Sequence, residues 1–261
     1  MTGGKVAFCF MSYGDIEQQQ VWSAFFKDVN PARYRIWLHR ADGKGCSKLR
    51  DVECIKTMPT KWGGWNLVDV AQALFEEACV DRTVQKCILL SGDCIPVRGF
   101  DHVYSQVLKD DCSWFGNIGL DKHHGEEGID KSDWPRNWGW KYRKASQWAV
   151  LSRAHVLAAK RNWRIIRKTF EHGDIPDEHA YITFITSTDP TNVRDRVVMH
   201  VNWTARKQLS CPLDIDHRRF PKTYHEREMT RRWLNKLLRE NRDLLFVRKI
   251  CKSVTIQPWW L

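Results

Sequence analysis

The stretch that most constrains this chain is Lys86-Cys87-Ile88-Leu89-Leu90-Ser91-Gly92-Asp93-Cys94-Ile95-Pro96-Val97. A short apolar run stops at a small, polar, acidic turn, and a proline fixes the exit. Such a run, bounded by turn residues, reads as a buried strand. In open α/β sheets ligands sit beyond the carboxyl ends of the strands. Ser91-Gly92-Asp93 therefore sets a carboxylate at the mouth of a site. The plainer alternative is an ordinary turn, and the motif alone does not choose between them.

The same pattern recurs earlier. Residues 5–11 read as a first strand ending in Ser12-Tyr13-Gly14-Asp15. A helix follows with Val21, Trp22, Phe25 and Phe26 on one face, stopped by Asn30-Pro31. Residues 34–39 alternate as a second strand and end in His39-Arg40-Ala41-Asp42. Asn66 is the expected N-cap of a helix that turns Leu67, Ala71, Leu74, Phe75 and Ala78 inward, with Asp69 three residues on. This helix delivers the chain to the strand 86–90. Later elements are a helix from Phe100 to about residue 109, strands at 114–118 and 146–151, and a helix over 154–170. A helix starting at Pro176, a strand over 197–203, a basic helix over 231–242 and an apolar segment over 244–249 complete the chain. Strand-helix-strand order predicts an α/β fold with a mostly parallel central sheet flanked by helices.

Totals narrow the function classes. The apolar run at residues 6–11 is too short for a signal segment, and no run reaches membrane-spanning length. A cytoplasmic protein without an integral membrane segment is expected. The nine cysteines are odd in number, irregularly spaced and without a Cys-x-x-Cys pair. Neither a zinc site nor a disulfide scaffold is expected, and a reducing compartment fits best. The net charge of +11 asks for an anionic partner. It gathers in Arg218-Arg219, Arg231-Arg232 and Arg248-Lys249. A nucleic-acid-binding module is one rival that this charge supports, and it predicts steeply salt-dependent binding. Residues 120–140 hold His123, His124, Glu126, Glu127, Trp134, Trp138 and Trp140 with little periodicity. A loop this long is usually functional, so it reads as an acceptor-side loop or lid.

Three features act together. The first is the set of polar strand ends. The second is the acidic pair Asp177-Glu178 at a helix start, and the third is the cationic pair Arg248-Lys249. A carboxylate that takes a proton and cations that hold a departing diphosphate are the minimum for glycosyl transfer from a nucleotide sugar. The competing roles are a helix-start acid that bonds backbone amides and a solvated charge pair.

The order of motifs resembles the core-2/I-branching N-acetylglucosaminyltransferase family, with the peptide O-xylosyltransferases and related plant proteins. The resemblance rests on Val21-Trp22-Ser23-Ala24-Phe25-Phe26, Tyr34-Arg35-Ile36-Trp37-Leu38-His39 and Gly64-Trp65-Asn66-Leu67-Val68-Asp69. It continues through Leu90-Ser91-Gly92-Asp93-Cys94-Ile95-Pro96, Ser146-Gln147-Trp148 with Arg153, and Pro176-Asp177-Glu178-His179. Asn202-Trp203, Pro221-Lys222-Thr223-Tyr224 and Leu245-Phe246-Val247-Arg248-Lys249 close the set. It implies a single GT-A-like, Rossmann-like domain over 1–261, with a nucleotide-binding part at about 1–118 and an acceptor and catalytic part at about 119–261. It implies inverting transfer from a UDP-sugar to a glycan or glycoprotein acceptor, with xylose or N-acetylglucosamine as donor sugar, and no nucleic acid as partner.

The resemblance also assigns residues. Glu178 is the implied general base, and Arg248 and Lys249 the diphosphate cations. Met11, Ser12, His39, Asp42, Ser91 and Asp93 are the further candidates for the donor, and Trp148, Asp177, Trp203 and Arg143 for the acceptor. No metal or other cofactor is expected, because the strand 86–90 ends in one acid where a metal-dependent GT-A enzyme carries Asp-x-Asp. Asp214-Ile215-Asp216-His217 has that look but lies far downstream. A catalytically inactive sugar-binding relative is the remaining alternative.

Overall fold

The computed structural model describes residues 3–119, 125–203 and 221–254. His123, His124, Arg218, Arg219 and the Asp214–His217 motif lie outside the described residues. A seven-stranded, mostly parallel sheet flanked by helices organises the fold. Its strands are β1 (Lys5–Ser12), β2 (Tyr34–Arg40), β3 (Val52–Cys54), β4 (Val84–Ser91), β6 (Ser113–Phe115), β7 (Val150–Ser152) and β8 (Val193–Asp195). They run in the order β3-β2-β1-β4-β7-β6-β8. β1 is parallel to both β2 and β4, while β7 runs antiparallel to its neighbours β4 and β6.

The core follows from the strand composition. β1 and β4 are buried on both faces, as near-continuous apolar runs in a covered parallel sheet must be. Phe8 stands opposite Ile36 on one side and Ile88 on the other. It meets Phe26 edge-on at 5.1 Å between ring centres, a favoured geometry for aromatic pairs. Phe26 and Phe25 belong to the segment at the end of α1 (Gln19–Phe25), so the predicted helix face is the buried one.

α2 (Asn66–Ala78) buries Val68, Ala71, Leu74, Phe75 and Ala78. Asn66 does not cap it. Trp65 holds the cap position, and Asn66 Oδ1 accepts the Lys61 N–H at 3.1 Å, closing the preceding turn instead. The expected helix over 154–170 is two helices, α4 (Arg153–Arg161) and α5 (Trp163–Phe170), broken at Asn162. α3 (Phe100–Val107) and α6 (Ala180–Thr188) also pack on the core.

A second, three-stranded sheet has the order β5-β10-β9. It joins β5 (Ile95–Pro96), β9 (Met199–Val201) and β10 (Phe246–Arg248). It is covered by α7 (Arg231–Glu240), whose Leu234 and Leu237 join a separate apolar cluster with Ile95 and Val247.

One expectation is corrected. Cys46 and Cys54 form a disulfide with Cα atoms 5.7 Å apart, a separation typical of such bonds. The cysteine argument for a reducing compartment therefore falls. Six other cysteines are buried free thiols. The rings of the tryptophan loop are packed on the core. Trp138 packs on Phe184 at 5.5 Å and Trp140 stacks on Phe170 at 6.1 Å, so the rings are anchored to α6 and α5.

Candidate active site

The strand order places a crevice. β2 and β3 lie to one side of β1 and β4 to the other, so the winding reverses between β1 and β4. Ligand sites of open sheets form at such a point, beyond the strand ends. A cleft of about 720 Å³ opens there. Met11 and Ser12 from the end of β1 line it, with Trp62 and Gly63 before α2, Lys144 to Trp148, and Asp177 and Glu178. Arg248 and Lys249 line it from β10 and the residue after it. Gly92 is required at the end of β4. A Cβ there would collide with the Ser12 side chain, so only glycine lets β4 turn beside β1.

Glu178 and Asp177 belong to a 3-10 turn, Pro176–Glu178, that leads into α6. The residue before it, Ile175, has φ 39 and lines the cleft. A β-branched side chain rarely takes that backbone conformation, and such outliers cluster at functional sites. Glu178 Oε2 lies 3.2 Å from Lys144 Nζ, with both side chains about a quarter exposed. His179 is buried behind them. Its Nδ1 is 2.8 Å from the Arg143 carbonyl and its ring stacks on Tyr142 at 4.7 Å. It packs and orients, as its neighbours in sequence suggest. Asp177 sits deeper, and burial with the adjacent Glu178 charge pushes its carboxyl up to about 7.

At the other wall, Arg248 is held on two sides. Its Nε and Nη2 lie 3.2 and 3.3 Å from the Asp93 carboxylate oxygens. Its guanidinium carbon stands 4.6 Å over the Trp148 ring. Burial alone would raise the Asp93 carboxyl, but the Arg248 charge and hydrogen bonds bring it below the usual carboxylate range. Lys249 is the next residue along the same wall.

The sequence candidates divide accordingly. Met11, Ser12, Trp148, Asp177, Glu178, Trp203, Arg248 and Lys249 meet in the cleft. Asp93 stands behind Arg248 instead of lining the cleft. Ser91 is buried at the end of β4. His39 is buried and accepts the Met58 N–H on Nε2 at 3.0 Å, and Asp42 is bound to Arg40 at 2.8 Å. Neither lines the cleft; His39 Nε2 and the Asp42 carboxylate instead hold the segments that follow β2. Arg143 is also outside the lining. Its backbone bonds Thr183 and His179, and Lys144 beside it takes the cleft position.

Sequence reasoning did not single out His200, Tyr13 and Trp62. His200 lines the cleft with Nε2 2.9 Å from the Tyr224 hydroxyl, and burial holds its ring neutral-leaning. Tyr13, Trp62 and Trp203 are 80%, 61% and 59% exposed at the cleft edge. The signal for Trp62 is its place directly before Gly63-Gly64, a breaker pair that leaves a large ring on a loop.

The sequence model of the family described as Core-2/I-Branching enzyme matches residues 6–238. The chain belongs to the Core-2/I-branching enzyme family. This makes it a glycosyltransferase-family protein, as the order of motifs implied. One curated relative, "Glycosyltransferase BC10" of Oryza sativa subsp. japonica, is 24% identical over 179 residues, which is 64% of this chain and 43% of the relative. The match thus spans less than half of that relative's length. The solved structure titled "Crystal Structure of A197 from STIV" aligns over 59% of this chain and 67% of that chain at 11% identity with a TM-score of 0.30. A score that low carries no argument. Among the described residues no helix is long and apolar enough to cross a membrane.

A constellation of hydrolase type is present elsewhere but closed. Ser113 Oγ is 2.7 Å from His155 Nδ1, and His155 Nε2 is 3.2 Å from Asp189 Oδ2. Ser113 is fully buried and its Oγ accepts the Ser152 N–H at 2.9 Å. The chain of bonds ties β6, β7, α4 and the end of α6 together.

Proposed function

We propose that this protein transfers a sugar from a UDP-sugar to a glycan hydroxyl with inversion and without a metal ion. One observation carries the reading: Glu178 with its Lys144 partner, and the Arg248-Lys249 cations, line the same cleft of about 720 Å³. The acceptor hydroxyl gives its proton to Glu178 as its oxygen attacks the anomeric carbon from the face opposite UDP. The bond from that carbon to the diphosphate oxygen breaks, and the electron pair leaves with UDP. Arg248 and Lys249 neutralise the charge that develops there, the kind of term that usually dominates catalysis. General-base action contributes roughly 10²–10⁴-fold.

Metal independence rests on the donor set. Asp93, the single acid at the end of β4, is already committed to Arg248. Among the described residues no group of three or more His, Cys, Asp or Glu gathers to hold a metal. Xylose and N-acetylglucosamine are the proposed donor sugars. Met11 and Ser12 support the donor, and the exposed Trp203 faces the acceptor. The donor part is drawn from about residues 1–118 and the acceptor part from about 119–261 of one domain, with Arg248 and Lys249 returning to the donor side.

Thermal-shift measurement against a panel of nucleotide sugars tests this, since a ligand that binds the native state raises Tm. Stabilisation by UDP compounds that EDTA does not abolish is expected. Absence of a shift with every UDP compound overturns the reading.

A further inference from the structure

A second groove carries charge that the catalytic reading does not use. It lies between Arg98, two residues after β5, and α7, has a volume of about 670 Å³, and is lined by Arg98, Arg231, Arg232, Asn235, Leu238 and Arg239. It shares no lining residue with the cleft around Glu178. Four of its six residues are arginines and none is an acid.

The helix aims these charges. Leu234 and Leu237 are buried against the small sheet, which fixes the rotation of α7. Positions 231, 232, 235 and 239 then face away from that cluster at helical spacing, while Leu238 stays packed at its edge. Arg231, Arg232 and Arg239 are exposed. Arg98 enters from a different element, and its buried Nε has no hydrogen-bond partner among the described residues. Three acids close to these arginines in sequence each have another cationic partner. Asp101 pairs with Arg33 at 2.7 Å and Glu240 with Lys236 at 3.8 Å, while Glu228 pairs with Lys222.

Converging guanidinium groups repel one another unless an anion lies between them. Arginine forks match phosphate oxygens two at a time. Four cations around one groove favour dense negative charge. A phosphate monoester carries about −1.5 to −2, so two neighbouring phosphates balance the groove, where carboxylates would need to be twice as many. No aromatic ring lines the groove to stack a base, as single-stranded nucleic-acid sites require. We propose that this groove is a second anion site for a ligand with clustered phosphates, either a soluble polyphosphorylated molecule or a phospholipid headgroup.

The full chain is titrated with inorganic tripolyphosphate by calorimetry and sedimented with phosphatidylcholine vesicles with and without phosphatidylinositol bisphosphate. A short single-stranded RNA is run in parallel. The variants are R231Q/R239Q, whose sites are exposed and tolerate the change, and K249A in the catalytic cleft. Affinity is expected to fall at least about tenfold in R231Q/R239Q, since two charge-assisted contacts are lost, with Tm unchanged, and to weaken with salt. K249A is expected to leave it intact. Binding of tripolyphosphate identifies a soluble phosphate ligand, and binding of the phosphoinositide vesicles alone identifies a headgroup. Absence of both overturns the proposal. So does binding that R231Q/R239Q retains, binding that K249A abolishes, or binding confined to the RNA.

Discussion

Asp93 and Arg248 hold each other across 155 residues of sequence, with Arg248 Nε 3.2 Å from Asp93 Oδ1. The pair joins the end of β4 to the end of β10, and so joins the large sheet to the small one. It also keeps the guanidinium over the Trp148 ring. Asp93→Asn is expected to keep the geometry but lose the charge, raising the apparent Kd for UDP by about tenfold, or about 1.4 kcal/mol. Asp93→Ala is expected to cost about 2 kcal/mol of stability as well, because it leaves a largely buried guanidinium short of a partner. Calorimetric titration and chemical unfolding measure the two effects. Unchanged UDP affinity in both variants overturns the assignment of Arg248.

Glu178→Gln removes the proposed base and keeps its volume. Turnover is expected to fall by about 10²–10⁴-fold while the UDP-induced rise in Tm is retained. Lys144→Ala tests the partner. Its Nζ lies 3.2 Å from Glu178 Oε2, so a loss of about tenfold in kcat with little change in KM is expected. The two losses do not add, since residues in contact couple. Full additivity in the double variant separates Lys144 from the base.

Much of this site is legible in the sequence, and the division has physical causes. Glu178, Arg248 and Lys249 stand out because acids after a Pro and cations at the end of an apolar run are local patterns. His39 and Asp42 read the same way, yet His39 Nε2 is taken by Met58 and the Asp42 carboxylate by Arg40. Satisfaction of a polar group by a turn is a three-dimensional fact that spacing does not encode. The long parallel strands β1 and β4 declare themselves as apolar runs. The three-residue strands β3 and β8 and the two-residue β5 are too short to show a period. The Cys46–Cys54 bond is equally hidden, since connectivity does not follow from Cys spacing.

The tryptophan loop gives a test of packing against ligand binding. Trp138 lies edge-on to Phe184, 5.5 Å between centres. Trp138→Ala is expected to lower stability by about 2–3 kcal/mol, less than a fully buried ring would, with KM for donor and acceptor unchanged at a temperature where the variant is folded. A raised acceptor KM with unaltered stability supports a lid role instead.

Asp177 sets the pH dependence. Its carboxyl is raised to about 7 by burial first and by Glu178 second, against about 3.9 in an unfolded chain. Between these values the native state holds a proton that the unfolded state has released. Linkage then makes stability fall as pH rises from about 4 to about 7 and level off above. At 1.36 kcal/mol per pH unit the loss is of the order of 2–4 kcal/mol. Asp177→Asn stays neutral throughout, so its Tm is expected to exceed that of the natural protein at pH 8, with the difference vanishing near pH 4. Thermal unfolding of both proteins across that range measures it, and parallel curves for the two show that Asp177 ionises as freely in the fold as outside it.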